Sequence, residues 1–156
     1  MSNFHVREKY LFTEQDFIGH SGDELHWKIE CDALFPNEWK CIARMIFEIE
    51  TRPFQAAIGI PRGGVELGRW LNEYSTQNAE HPYLIIDDVL TTGGSMDEYK
   101  EEHFKDKDAF GWVVFARAKC PDWVTALFQM PFSIDSIDYD MTHYAKEYED
   151  YGDGAY

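Results

Sequence analysis

The sequence predicts an α/β fold: a mostly parallel sheet with helices on both faces. Three observations carry this. The candidate strands Phe54 to Ile60, Tyr83 to Asp87 and Ala109 to Ala116 read as continuous apolar runs, the pattern of strands covered on both sides. The first two run into glycine-containing turns and then into helical patterns, so strand, turn and helix recur in succession. With 156 residues, 44% of them hydrophobic, the chain is long enough for one core and short for two. The expectation is therefore a single domain spanning residues 1–156.

Taken in order, the firmest helix begins after Pro36 and Asn37, because Trp39, Ile42, Ala43, Ile46 and Ile49 recur at three- and four-residue steps. The strand from Phe54 meets Pro61-Arg62-Gly63-Gly64, and Val65 to Tyr74 has helical spacing. Ser75 to His81 is a polar link. The strand from Tyr83 leads through Thr91-Thr92-Gly93-Gly94-Ser95 to a polar helix ending near Phe104, whose start Ser95 and Glu98 would cap as a box. After Ala109 to Ala116, Pro121 and Asp122 open a short predicted helix through Phe128, and Phe132 to Ile137 is a further candidate strand. From Asp135 onward acidic residues interleave with tyrosine, and residues 141–156 read as an acidic tail with a mobile end.

Charge and cysteine usage narrow the function classes. Asp and Glu number 29 against 14 Lys and Arg, a formal charge of -15, so the average surface repels nucleic acid and anionic lipid. The longest apolar runs fall far short of the roughly 20 residues a membrane helix needs. Three cysteines, Cys31, Cys41 and Cys120, form no Cys-x-x-Cys, and the first residues lack the order of a signal peptide, so a reducing, cytoplasmic setting is expected. Each cysteine reads as a small buried apolar residue.

The chemistry should lie where strands turn into helix N-termini, at the carboxyl edge of the sheet. In the first turn, Arg62 stands beside Gly63 and Gly64, which suits an anion, although glycines there also serve steric needs alone. The second is more specific. Asp87 and Asp88 end a strand and are followed by Thr91 to Ser95, so carboxylates for hydroxyls or a hydrated divalent metal sit next to hydroxyl and amide donors for a phosphate. A sugar phosphate offers both ends. Two adjacent carboxylates repel and are costly unless a cation or donors neutralise them, which a purely structural cap does not explain.

The segment Tyr83-Leu84-Ile85-Ile86-Asp87-Asp88-Val89-Leu90-Thr91-Thr92-Gly93-Gly94-Ser95 resembles the phosphoribosyl pyrophosphate (PRPP) signature of type I phosphoribosyltransferases, and Ile58 to Gly64 is similar to that family's pyrophosphate loop. The orotate branch is the most similar, since Ser21-Gly22 and Trp27-Lys28-Ile29-Glu30 resemble its N-terminal hood and Arg117 falls where it has a base-contacting arginine. The resemblance implies a Rossmann-like sheet over residues 36–120, a small hood from 1–35 and 121–140, and transfer of phosphoribosyl from PRPP to an orotate-like nucleobase. It implies Asp87 and Asp88 as catalytic, ribose-binding and Mg²⁺-associated residues, and Thr91, Thr92, Gly93, Gly94 and Ser95 as the 5-phosphate cradle. Arg62, Gly63 and Gly64 would face pyrophosphate, Lys28 and Arg117 would contact substrate, and homodimers are common among its members. Trp27, Trp123 and Phe128 are candidates for an aromatic wall against the base.

Two departures qualify the likeness. Ser75 to His81 holds seven residues and no Lys or Arg, where the family carries a long basic lid, and losing one electrostatic donor costs about 2–4 kcal/mol. Ala116 replaces the acid that precedes the orotate branch's arginine. A PRPP-binding regulatory module with little catalysis is therefore the alternative. A phospho-receiver domain, which the acidic pair superficially resembles, is disfavoured because 86 residues precede Asp87.

Overall fold

The computed structural model describes residues 9–18 and 24–130. Strands β1 (Phe12–Ile18) and β2 (Glu24–Ile29) pair as an antiparallel hairpin. Then follow α1 (Pro36–Ile49), β3 (Ala56–Gly59), α2 (Val65–Leu71), β4 (Tyr83–Leu90), α3 (Gly94–Phe104), β5 (Ala109–Ala116) and β6 (Val124–Gln129). The last four strands form one parallel sheet in the order β3-β4-β5-β6. Among the described residues no helix is long and apolar enough to cross a membrane.

The continuous apolar runs do what that pattern requires. All eight residues of β5 are buried, and Leu84, Ile85 and Ile86 of β4 are fully so. One face packs Leu84, Ile86, Trp112 and Val114 against Trp39, Ile42, Ala43 and Ile46 of α1 and Leu67 and Leu71 of α2. The other packs Ile85, Val113 and Ala109 against Met96 and Phe104 of α3. Each large aliphatic side chain so buried contributes about 1.5–3 kcal/mol, which outweighs the weak amphipathicity of α3. Helix α1 starts at Pro36, whose missing donor costs nothing at a first helical position, and Glu38 Oε2 accepts the Phe35 N–H at 2.7 Å. Helix α2 gives way after Leu71 to a 3₁₀ turn, Asn72 to Tyr74. There Asn72 turns its amide back onto β3, accepting from the Ala57 N–H at 2.8 Å and donating to the Ala57 carbonyl at 2.7 Å, so it satisfies the backbone of that edge strand.

Two expectations are corrected. The segment after Pro121 is not a helix: Val124 to Gln129 forms β6, and part of the expected hood at 121–140 thereby joins the main sheet. Its β-branched and aromatic residues meet the open edge of β5, and that pairing overrides the local start signal. Nor does Ser95 cap α3. Gly93 holds that position at φ +87, a left-handed conformation that strains other residues, and the helix already begins at Gly94. The candidate strand Phe132 to Ile137 and the acidic tail lie outside the described residues.

Strands β5 and β6 run parallel yet are joined by only Arg117 to Trp123, seven residues. Parallel neighbours usually need a dozen or more, and usually a helix. Here the link is a strap laid over the α3 face. The Arg117 N–H donates to the Leu90 carbonyl at 2.8 Å, Pro121 lies against Gly93, and the Gly111 N–H donates to the Trp123 carbonyl at 2.8 Å.

Candidate active site

Asp87 and Asp88 stand near the carboxyl end of β4. Asp87 is 8% exposed, an ionisable side chain inside the core, and its Oδ1 accepts the Asp88 N–H at 2.9 Å. Asp88 Oδ1 accepts the Val89 N–H at 2.7 Å. Among the described residues no Lys or Arg forms an ion pair with either. Burial first, and the neighbouring Asp88 charge second, push the Asp87 carboxyl up to about 8. In the free protein this acid therefore keeps its proton to higher pH than an ordinary carboxylic acid does.

Asp88 opens onto a cavity of about 290 Å³ beneath the turn that follows the hairpin. Cys31, Asp32 and Trp39 line it from one side, Arg62, Gly63 and Glu66 from the other. Gly63 lets the Asp88 carboxylate lie close to the loop, since a Cβ there would come within 2.3 Å of it and push that side chain aside. Gly64 has another task. Its N–H is already bonded to the Ile60 carbonyl at 2.9 Å, and a Cβ on it would meet the Ile86 carbonyl at 2.3 Å, so it lets the loop lie directly on β4. The Pro61-Arg62 peptide is cis.

After the Thr91 to Gly93 turn, Asp97 is the first residue of α3 whose N–H finds a carbonyl, that of Gly93 at 3.1 Å. The amides of Gly94, Ser95 and Met96 ahead of it are donors without a helical acceptor, and Thr91, Thr92 and Ser95 bring hydroxyls to the same stretch of sequence. Such an N-terminus favours a phosphate.

No protein-family model matches this sequence, and no curated protein does. Solved structures do match. Orotate phosphoribosyltransferase from Aeropyrum pernix superposes with a TM-score of 0.62 at 16% identity, over 76% of this chain and 88% of that one. UMP synthase of Leishmania donovani gives 0.63 at 16% identity, over 77% of this chain and 34% of that longer one. The fold is that of the type I phosphoribosyltransferases. At such identity the likeness is one of architecture, and the chemistry rests on the residues of this chain.

Within the phosphoribosyltransferase fold the remaining candidates fall in different places. Arg117 leaves the end of β5 beside Leu90, just ahead of the Thr91 to Ser95 turn, and burial lowers its guanidinium pKa. Lys28 is not brought to the cavity lining: it is 44% exposed on β2, with its Nζ 2.7 Å from Glu30 Oε1. Trp123, the last residue of the strap, rests on Gly111, while Phe128 stacks on Phe115 at 5.5 Å and Phe12 meets Phe115 edge-on at 6.1 Å, tying the hairpin to the sheet. The link after α2 forms no lid. Its Thr76 and Gln77 N–H groups donate to the Phe54 and Gln55 carbonyls at 2.8 and 3.2 Å.

Sequence reasoning missed Cys31, Asp32, Trp39 and Glu66 as cavity residues. Cys31 is buried as expected, but its thiol faces Asp88, and burial and then that carboxylate hold its pKa well above the usual thiol range. A neutral S–H is a donor that suits a carboxylate neighbour. The available signal was positional: Cys31 directly follows the hood-like Trp27-Lys28-Ile29-Glu30.

Proposed function

We propose that the protein is a Mg²⁺-dependent phosphoribosyltransferase that moves phosphoribosyl from PRPP to a nucleobase of orotate type and releases pyrophosphate. The observation that carries this is an acid pair without a cationic partner among the described residues, set at one sheet edge between a phosphate-type turn and the Arg62-Gly63 loop. Asp87 and Asp88 would take the ribose hydroxyls, the amides of Gly94 to Met96 the 5-phosphate, and Arg62 with the Gly63 backbone the pyrophosphate. Arg117, at the same edge, would approach the base.

The donor set suits Mg²⁺ delivered with substrate. Among the described residues no group of three His, Cys, Asp or Glu converges into a metal cage, whereas Mg²⁺ ordinarily takes one or two carboxylates plus phosphate oxygens and water. Asp88, with its open face on the cavity, would hold such an ion with Asp87 behind it. When bound, the ion would neutralise charge developing on the leaving pyrophosphate. The chain's own part is orientation: the two acids lie close to a ribose that becomes more positive in the transition state, while the phosphate turn fixes its far end.

The packed link after α2 favours a second reading, a PRPP-binding regulatory or interaction module with slow or no turnover, because no basic segment there can close over pyrophosphate. Unpaired thiols on Cys31, Cys41 and Cys120 suit a cytoplasmic setting for either. Titration calorimetry with PRPP and Mg²⁺ tests both readings: binding is expected for wild type and its loss for Asp87→Asn with Asp88→Asn. Undiminished binding by that variant, or none by wild type, refutes both. Pyrophosphate release across a panel of nucleobases then separates them, since turnover selects the enzyme and binding without turnover the module.

A further inference from the structure

One acid stands where the phosphate reading least wants it. Asp97 lies in the first turn of α3, and a carboxylate there is drawn toward the same unpaired amides that a ligand phosphate needs. Its side chain is turned elsewhere. Trp123 Nε1–H donates to Asp97 Oδ1 at 2.7 Å, and the Lys100 ammonium, one turn further along α3, lies 4.6 Å from the centre of the same indole. The indole is itself held in place: its ring rests where a Cβ on Gly111 would come within 2.7 Å, and the Trp123 carbonyl accepts from the Gly111 N–H. Two residues earlier the strap touches Gly93, the N-cap of α3, through Pro121. The strap thus reaches both the start of the phosphate turn and the acid behind it.

We propose that Trp123 is a positioning residue for the phosphate turn, its indole N–H holding the Asp97 carboxylate away from the mouth of α3 so that a ligand phosphate meets unoccupied amides. This deepens the phosphoribosyl reading and rests on it. Lys100 assists by balancing the charge that Trp123 restrains. Neither touches the ligand.

The test is a double-mutant cycle read by calorimetric titration of ribose 5-phosphate in metal-free buffer, with thermal melts as the check on folding. Trp123→Phe keeps the ring on Gly111 and removes the donor, and is expected to weaken binding roughly two- to fivefold, the size of a charge at a helix terminus. Asp97→Asn should bind at least as tightly as wild type, and Trp123→Phe added to Asp97→Asn should have no further effect. That rescue is what a merely structural tryptophan would not give. Unchanged binding by Trp123→Phe, or a double variant as weak as Trp123→Phe alone, overturns the proposal. Should Trp123→Phe lose its cooperative melt, Lys100→Met takes its place in the cycle: weakening that Asp97→Asn cancels supports the proposal, and no weakening overturns it. Silence from every variant, wild type included, removes the phosphate site and this role with it, whereas binding by wild type without rescue removes this role alone.

Discussion

Replacing Asp87 by Asn should make the free protein more stable in mild alkali while destroying its site. The folded carboxyl titrates at about 8, because burial and then Asp88 disfavour its charge, whereas an unfolded aspartate titrates near 3.9. Between those values the folded state holds the extra proton, so stability falls as pH rises through this window and the loss is complete above about 8. The full gap corresponds to at most about 5.6 kcal/mol at 1.36 kcal/mol per pH unit. Water entry and small movements of Asp88 relieve part of such a penalty, leaving a few kcal/mol. Urea denaturation of wild type and Asp87→Asn at intervals from pH 5 to pH 9 measures it. Wild type should lose stability steadily from pH 5 to 8, and the variant should show a flatter profile and exceed wild type at the alkaline end. A wild-type profile that rises over this range, or a variant less stable than wild type at pH 9, would refute the placement of a strained acid in the core.

Other outcomes follow from the same structure. Arg62→Ala, by removing a charged donor from the cavity, should weaken PRPP binding about tenfold or more with the melting temperature nearly unchanged, measured by calorimetry and a thermal melt. Gly64→Ala, which sets a methyl group 2.3 Å from the Ile86 carbonyl, should cost about 2–3 kcal/mol or more in denaturant unfolding, since its three nearest neighbours, in Ile86, Ile60 and Asp87, are all backbone. Glu50 is held down at about 2: burial opposes this, but donors from Arg52 and from Trp112 Nε1 at 2.7 Å outweigh it. Its contribution is therefore complete above the ordinary glutamate pKa near 4.3 and lost as pH falls toward 2, and Glu50→Gln should lower stability by about 1–2 kcal/mol at pH 7 with little change at pH 2.

What the sequence made legible is what local chemistry dictates. Three buried strands announced themselves through uninterrupted apolar runs, and the acid pair with its threonine and glycine turn stood out because no ordinary helix cap needs two adjacent carboxylates. The parts that were not legible depend on partners distant in the chain. Val124 to Gln129 becomes a strand because β5 has a free edge, and nothing beside Pro121 records that edge. Cys31 looked like a small apolar residue because its relation to Asp88 spans the whole of α1, β3 and α2. Ser95 with Glu98 matched a capping pattern, but Gly93 took the cap two residues earlier in a left-handed conformation. Lys28 matched a hood motif, yet its charge is engaged by Glu30, two residues on along the same backbone.

The seven-residue strap leaves its tether only about two residues of slack. It must climb back from the end of β5 to the level of Gly111, five residues of strand or roughly 17 Å, and seven extended residues span at most about 25 Å. A crossover helix can absorb the deletion of one residue by shortening a turn. Here a deletion of two would draw β6 along its neighbour, and a slip of a single step would turn Val124 outward and expose its apolar side to water. Insertions should be tolerated far better than deletions in this stretch of the molecule.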